Sequence, residues 1–399
     1  MATMTPPTRD IEVLVVGAGP VGLSAALTLS LAGVETAVLE AGPDVDTRMR
    51  ASTFHPPTLD QIDALGLSVK LEAQGLPVPR WQYRQHETGQ EVTFDLNAIA
   101  DRTNHPYRLQ CEQHRYATLA LRALAERGVD VLFNAEAVDV TADASAVEVA
   151  VAGSARWRCR WLIGADGARS RVRKALGLSY GGSTYTHASV LVATTFPFHE
   201  ALGNLADVSY CWSKRGPFSL LRLPGRWRAS LYPGVDDLEE AADESRVRDW
   251  LGYIHPDARE ATISDVHPYR VHQRCIDHFR HGRILLMGDA AHLNPPSGGM
   301  GMNGGIHDAI SGARALAAVL GGESDSLLDR WARQRHHAAS HRIIPQAAAN
   351  RKAMAATDPQ QQEERLRQLA EDRSDPMKNR EHCLRSSMIA GLDESAAVA

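Results

Sequence analysis

The sequence predicts a mixed α/β fold: a Rossmann-like nucleotide-binding domain on a parallel sheet, an antiparallel-sheet lobe laid over it, and a helical C-terminus. Three features lead there. Residues 11–40, IEVLVVGAGPVGLSAALTLSLAGVETAVLE, read as strand, glycine turn, helix and strand. Strand, turn and helix return at residues 161–176 and again at 283–320. Between these, residues 180–275 break into short alternating segments separated by Gly and Pro, the pattern of an antiparallel sheet.

The opening unit is the most specific. Residues 13–16 (VLVV) form the unbroken apolar run of a strand covered on both faces. Gly17-Ala18-Gly19-Pro20-Val21-Gly22 follows as G-x-G-x-x-G where that strand meets a helix. Gly17 permits the sharp turn, Gly19 lets backbone approach a pyrophosphate, and Gly22 brings the helix close to the sheet. The helix start adds unpaired N–H groups and a partial positive charge for an anion. Glu40 closes the second strand, at the separation from the glycines where an acid accepts ribose hydroxyls. Gly17, Gly19, Pro20 and Gly33 argue against a membrane span or a buried hairpin. The unit predicts nucleotide binding.

Further along, Arg48 and Arg50 precede a helix predicted over residues 58–65 and stopped by Gly66. Such a pair meets phosphates bidentately or stands solvated, and spacing alone does not choose. Residues 75–105 are rich in Pro, Gly and polar side chains, with strand-like pieces at 81–85 and 90–94. Residues 107–133 begin extended, form a strong helix through Glu126 capped by Gly128, and return as a strand. Alternating pieces at 137–140 and 147–150 lead to a strand over 161–163, a Gly164-Ala165-Asp166-Gly167 turn, and a helix opened by Ser170. Within 180–275, strands are predicted at 189–195, 207–212, 218–223 and 226–232, and a helix around 239–253. A buried strand over 283–287, the turn Gly288-Asp289, a glycine-rich loop over 295–301 and a helix over 302–320 restore the α/β pattern. Residues 326–387 are helical and charged, with Pro345, Pro359 and Pro376 as breaks. The predicted division is therefore 10–180 with 276–340 for the nucleotide domain, 181–275 for the antiparallel lobe and 341–399 for the C-terminal helices. Part of 75–105 is expected near the antiparallel lobe.

Composition narrows the partners. The 43 basic and 48 acidic residues leave a net charge of −5, which argues against nucleic acid or an anionic membrane surface. Cys111, Cys159, Cys211, Cys275 and Cys383 are odd in number and lack C-x-x-C spacing, as suits a reducing compartment without a zinc framework. No apolar signal core precedes the first strand, so a cytoplasmic protein is expected. His337 and His341 stand one helical turn apart, but no acid completes a ligand set and no metal is expected.

Three elements now stand in order: G-x-G-x-x-G with Glu40, GADGARSRVR at 164–173, and GRILLMGDAAHLNPPSGGMGMN at 282–303. Together, over roughly residues 10 to 340, they resemble the p-hydroxybenzoate hydroxylase-like (class A) single-component flavoprotein monooxygenases. The resemblance implies FAD as cofactor and NADH or NADPH as co-substrate. It further implies hydride transfer to FAD, reaction with O2 to a flavin C4a-hydroperoxide, and hydroxylation of a small phenolic or heteroaromatic ring. It assigns FAD contacts to Gly17, Gly19, Pro20, Val21, Gly22 and Glu40, and gives Asp166 and Gly167 to FAD and the nicotinamide cofactor. Asp289 falls on the ribityl chain. Gly301, Met302 and Asn303 fall at the flavin pyrimidine, where a helix start stabilises charge near N1 of the reduced ring. RMRAST matches the family's arginine segment, which gives Arg50, with Arg48, a role toward phosphate and the nicotinamide cofactor. Gln110 in LQCEQHR matches a flavin-contacting glutamine. No second G-x-G-x-x-G occurs, so no separate NAD(P)H domain is expected; the halogenase W-x-W-x-I-P segment does not occur in the sequence, and no appended thioredoxin-like domain is expected.

For the substrate, Tyr210 is the leading candidate, because it precedes Lys214-Arg215-Gly216 at the spacing of the family's substrate tyrosine. Cys211 and Trp212 depart from that pattern, and a packing role fits Tyr210 as well. Arg222 is a candidate for a substrate carboxylate, against an ordinary surface arginine. Pro295 and Pro296 match prolines that line the family's pocket. His292 reads as structural, Met300 and Met302 as packing beside the flavin, and the arginines of 156–173 as an exposed strand that partly attracts NAD(P)H phosphates. An FAD oxidoreductase without oxygen insertion and a non-catalytic flavin-binding module are the alternatives. The expected partners are a small aromatic substrate, NAD(P)H and O2, on a monomer or homodimer.

Overall fold

The apolar run near the start of the chain becomes the middle of an eight-stranded sheet. In the computed structural model, which describes residues 8–399 except positions 154 and 357, Thr8–Val16 runs parallel to Arg156–Gly164 on one side and to Thr36–Leu39 on the other. Ile284–Leu286 and Asp130–Leu132 extend the parallel set outward. Antiparallel strands Arg280–His281, Val147–Val151 and Ala137–Ala142 complete it. The register is what matters for function. Val16 is level with Leu39 and Gly164, and Gly164 with Leu286, so four strands end flush. The loops that follow them meet along one carboxyl-terminal edge, where open α/β sheets place their ligands.

Helix Pro20–Leu31 is buried from Gly22 through Ser30, sandwiched between this sheet and the helices Gln113–Glu126 and Gly301–Leu320. Val21 packs against Gly288 and Gly305, where a Cβ on either glycine would press on it. The long helix Gly301–Leu320 is fastened by Asp308, which is fully buried. Its Oδ2 accepts from the Gly288 N–H at 3.1 Å and from His292 Nε2 at 2.8 Å, and its Oδ1 accepts from Arg335 Nε at 2.6 Å. Burial pushes this carboxyl upward, but Arg335 and His292 outweigh it and hold it well below the ordinary carboxylate range. His292 is thus a structural residue.

The second, seven-stranded sheet runs Ile263–Tyr269, Ser189–Thr194, Arg226–Leu231, Phe218–Leu223, Val208–Trp212, Arg80–Gln85, Glu91–Asp95. It is antiparallel except where Val208–Trp212 runs parallel to Arg80–Gln85, so two strands of the 75–105 segment belong to it. Ile263–Tyr269 escapes the alternation pattern because Pro268 interrupts it; the proline is tolerated because this is an edge strand. The helix expected around 239–253 is two, Leu238–Ala241 and Glu244–Ile254, since Asp243 turns its side chain onto the Ser245 and Arg246 N–H groups and starts a new helix. One face of the sheet buries Phe218, Leu220, Trp227 and Leu231 against Val247, Trp250 and Leu251 of that helix. The other face turns toward the first sheet.

The C-terminal segment closes the far end of this second face. Pro359 and Pro376 open the helices Pro359–Ser374 and Pro376–Ser386, as helix starts allow. Pro345 does not break the chain: helix Ser326–His337 widens into a π segment, Ala338–Ile343, and continues as Ile344–Met354 with Pro345 in its first turn. The wide turn accommodates the missing N–H. Leu366, Leu369, Cys383 and Ile389 pack on Val78, Trp81, Phe94 and Trp212. The rings of His337 and His341 stack on each other, 4.5 Å apart. Among the described residues, no helix is long and apolar enough to cross a membrane.

Asp308→Ala strands the buried Arg335 guanidinium and leaves the His292 imidazole without its partner, and loss of one member of a buried ion pair costs about 3–5 kcal/mol. The expected outcome is a lowered denaturant midpoint, with Gly288 and its turn among the first amides to lose hydrogen-exchange protection.

Candidate active site

The glycine turn sits at the flush strand edge. Gly17 has φ +111°, a backbone shape L side chains rarely adopt, and a Cβ there would collide with the Ala165 carbonyl. A Cβ on Gly22 would run into the Gly17 carbonyl, so helix and strand touch backbone to backbone. Gly19 differs: a Cβ there meets nothing within 4 Å. The start of helix Pro20–Leu31 therefore lies open, with Pro20 in its first turn and no side chain capping it. Glu40 holds the same turn, Oε2 accepting from the Ala18 N–H at 2.7 Å and Oε1 from the Gly42 N–H at 2.8 Å.

The second and third motifs are stapled together. Asp166 caps the short helix Arg171–Ala175, its Oδ2 accepting from Arg171 N–H at 2.6 Å and Val172 N–H at 3.2 Å, while Oδ1 is buried without a partner. Burial raises its carboxyl above the usual range against those hydrogen bonds. Gly167 follows in the turn with φ +76°. Arg173, 4% exposed, donates to the carbonyls of Ala290 and Ala168 at 3.0 and 2.9 Å and stacks on Tyr180 at 3.9 Å. It is a strut of the site, not a free cation on the surface strand. Asp289 sits between these elements with its backbone carbonyl accepting from Tyr180 Oη at 2.8 Å. Its side chain reaches solvent, yet the protein crowded around it raises its carboxyl.

Helix Gly301–Leu320 begins with no side-chain cap, so the N–H groups of Gly301, Met302 and Asn303 lack partners within the helix. The Asn303 side chain is fully engaged: Oδ1 accepts from His55 N–H at 2.9 Å, and Nδ2 donates to Thr53 O at 2.8 Å and Gly299 O at 2.6 Å. Only its backbone is left for a ligand. Gln110, on Arg108–Gln110, is fully buried; its Oε1 accepts from Thr53 Oγ1 at 3.0 Å and its Nε2 has no acceptor. Arg48 and Arg50 are exposed, Arg48 paired with Asp46 at 2.8 Å and Arg50 at 3.5 Å. The Arg50 carbonyl and Ser52 Oγ accept from Arg228, which also pairs with Glu112 at 2.6 Å; Arg226 takes the other Glu112 oxygen at 2.6 Å. This clamp joins the second sheet to the arginine segment and to the start of helix Gln113–Glu126.

Tyrosines line the face of the second sheet that looks at this edge. Tyr210 is level with Tyr83 across a parallel pair, their rings 5.6 Å apart, and Tyr83 also stacks on Trp212 at 5.9 Å. Tyr232 reaches Ser297 in the glycine-rich loop, and burial raises its hydroxyl. Tyr83, Tyr210 and Tyr232 are each half-buried. Pro295 is buried and Pro296 exposed in the same loop. Arg222 is not part of this group. It sits in register with Trp227, one residue out of phase with Tyr210's partner Ser219, so the pleat sends it to the opposite face, where it pairs with Asp207 at 3.2 Å. Arg108 lies 4.4 Å over the Trp81 ring and Arg351 5.3 Å over the Tyr232 ring; none of Tyr83, Tyr232, Arg108 and Arg351 belongs to a sequence motif, and only the alternation over 81–85 hints at Tyr83.

An open helix start above a side-chain-free glycine, an acid held at the turn, a second uncapped helix and an orphaned buried glutamine donor together fit a flavin dinucleotide. Fold and site define a flavin-dependent monooxygenase of the aromatic-hydroxylase class. Residues 10–344 match the family described as FAD binding domain, and the chain belongs to that family of class A FAD-dependent aromatic monooxygenases. It is 34% identical over 360 residues to para-nitrophenol 4-monooxygenase of Pseudomonas sp. (strain WBC-3), covering 88% of each chain. It is 30% identical over 345 residues to 6-hydroxy-3-succinoylpyridine 3-monooxygenase of Pseudomonas putida (strain DSM 28022 / S16), covering 85% of this chain and 88% of that protein. The crystal structure of p-nitrophenol 4-monooxygenase from Pseudomonas putida DLL-E4 superposes with a TM-score of 0.89 at 30% identity, over 96% of this chain and 99% of that one.

Two outcomes follow from the geometry. Gly19→Val should fold with an unchanged apo melting temperature yet lose FAD affinity, whereas Gly22→Val should fail to fold; equal flavin content in Gly19→Val and wild type would remove the open helix start from the site. The second concerns pH. Burial, helped by Arg108 at His55 and Arg335 at His307, lowers both imidazoles to about 3 from 6.5. The folded chain refuses protons the unfolded chain accepts, so stability is complete above pH 6.5 and falls as pH drops from 6.5 toward 3. The slope is about 1.4 kcal/mol per pH unit for each histidine. Urea midpoints at pH 7.5 and 5 should show that loss, and His307→Gln should reduce it.

Proposed function

We propose that the chain hydroxylates a small phenolic or heteroaromatic ring, with NADH or NADPH as reductant and O2 as oxidant. The observation that carries this reading is the half-buried tyrosine face turned toward the glycine-rich loop and the open start of helix Gly301–Leu320. FAD, when bound, supplies the electron transfer and the activation of oxygen. The chain's residues do the rest. The Gly17–Gly22 turn with Glu40, Asp289 and the first turn of helix Gly301–Leu320 hold the cofactor, and Gln110 adds a buried donor. Asp166, Gly167, Arg48 and Arg50 stand where the nicotinamide cofactor approaches. Tyr210, with Tyr83 beside it, hydrogen-bonds the substrate oxygen and eases loss of its proton, which enriches the ring in electrons. Pro295 and Pro296 shape the ring's wall without offering N–H donors, and the C-terminal helices keep water out.

The test is substrate-stimulated NAD(P)H oxidation by the FAD-loaded protein, with products weighed by mass spectrometry. A gain of one oxygen atom is expected; unchanged product mass would replace hydroxylation by simple oxidoreduction. In Tyr210→Phe, flavin reduction should persist while product per NAD(P)H falls by about ten-fold or more. An unaltered yield would exclude Tyr210.

A further inference from the structure

The start of helix Gly301–Leu320 carries no side-chain cap, yet it is propped from behind. Met300, the residue before it, is 1% exposed and packs with Ile343 and Met388 in a small apolar cluster of their own. Irregular backbone delivers both partners. Ile343 ends the π segment Ala338–Ile343, and its Cδ1 lies 2.7 Å from where a Cβ on Gly304 would stand, in the first turn of the helix. Met388 joins helix Pro376–Ser386 to helix Ile389–Ala396 with φ +71°. The other non-glycine residues at positive φ among the described ones are Asn134 and Asn204, and asparagine visits that region readily. At this position, just past a helix end, glycine is usual. A buried methionine there is strain carried for the sake of what its side chain touches. Close packing is not the whole return, because a cavity lined by Met300, Ala338, Ile343, Met388 and Leu392 leaves the contact incompletely filled.

The turn that presents Met388 is itself fastened. Arg342 of the π segment pairs with Glu394, and Gln346 Nε2 donates to the Arg385 carbonyl at 3.2 Å, so the two props share one frame. The next residue, Ile389, packs instead in the cluster that includes Trp81, Phe94 and Trp212 of the second sheet. Two consecutive side chains thus bridge that sheet and the helix start. We propose that Met388 is a positioning residue: through Met300 it sets the N–H groups of Gly301 and Met302 at the height the flavin ring requires. This deepens the flavin-dependent reading of the site and rests on it. The effect is electrostatic. A helix start held close favours negative charge on the reduced ring. Without the prop, Met300 retreats into the cavity and that support weakens.

The reduction potential of FAD bound to the full chain, measured by equilibration with a reference dye, tests this. Met388→Ala and Met388→Gly both remove the side chain, but Gly also relieves the backbone and should melt at the higher temperature. Both variants should nevertheless favour reduced flavin about ten-fold less than wild type does, a potential about 30 mV lower for a two-electron couple. Met388→Leu should restore most of it. If Met388 served stability alone, the potential would follow the melting temperature and Gly would recover both. A wild-type potential in Met388→Gly overturns the proposal. Asn303→Ala, which frees the same helix start from Thr53 and His55, separates the proposal from the reading beneath it. A shift in Asn303→Ala without one in Met388→Gly keeps the helix start at the flavin and removes Met388 from its control. No shift in either places the helix start away from the flavin, and the proposal falls with that placement.

Discussion

Asp308 carries more of this structure than any other side chain. One carboxylate, sealed from water, takes an N–H from the turn after strand Ile284–Leu286, an imidazole from the segment beyond it, and a guanidinium from the next helix. The turn that carries Asp289 is therefore tied to helix Gly301–Leu320 by that one side chain, and the turn and helix of the third motif are held as one unit. Arg173 extends the arrangement to the second motif through the Ala290 carbonyl.

Glu112 plays the corresponding part between the sheets. Its two oxygens hold Arg226 and Arg228 of the second sheet, and Arg228 reaches on to the Arg50 carbonyl and Ser52. The segment bearing the exposed arginines thus touches the second sheet directly. Glu112 is two residues from Gln110, so the unpartnered buried amide and the inter-sheet clamp share one short stretch of chain. The two sheets are registered against each other by charge buried at their seam, while apolar packing builds each one separately.

What the sequence discloses follows the range of the interaction. The Gly17–Gly22 turn and Glu40 are readable because their geometry is local, and so is the strand–turn–helix around Asp289. Asn303 shows the limit of a motif: its position at the helix start is as expected, but its side chain is spent on Gly299 just before the helix and on Thr53 and His55, about 250 positions away. Arg222 shows the limit of a strand assignment, since a shift of one residue in phase turns a side chain to the other face. Tyr83 enters the site through a parallel pairing with 208–212, and Arg351 through a helix that continues past a proline. Neither event is encoded in the neighbouring residues. Both depend on long-range register.

The order of the parallel strands has a consequence for biosynthesis. Thr8–Val16 leaves the ribosome first, but one of its two flanking partners is Arg156–Gly164, and the strand beyond that is Ile284–Leu286. Until those segments emerge, an apolar strand stands with an open edge in a nascent polypeptide, the condition that recruits chaperones or seeds aggregates. The edge where the motifs meet is accordingly complete only after translation has passed helix Gly301–Leu320. A host that produces chains faster than they close will accumulate inclusion bodies instead of yellow enzyme, and slower synthesis at lower temperature favours the coloured product.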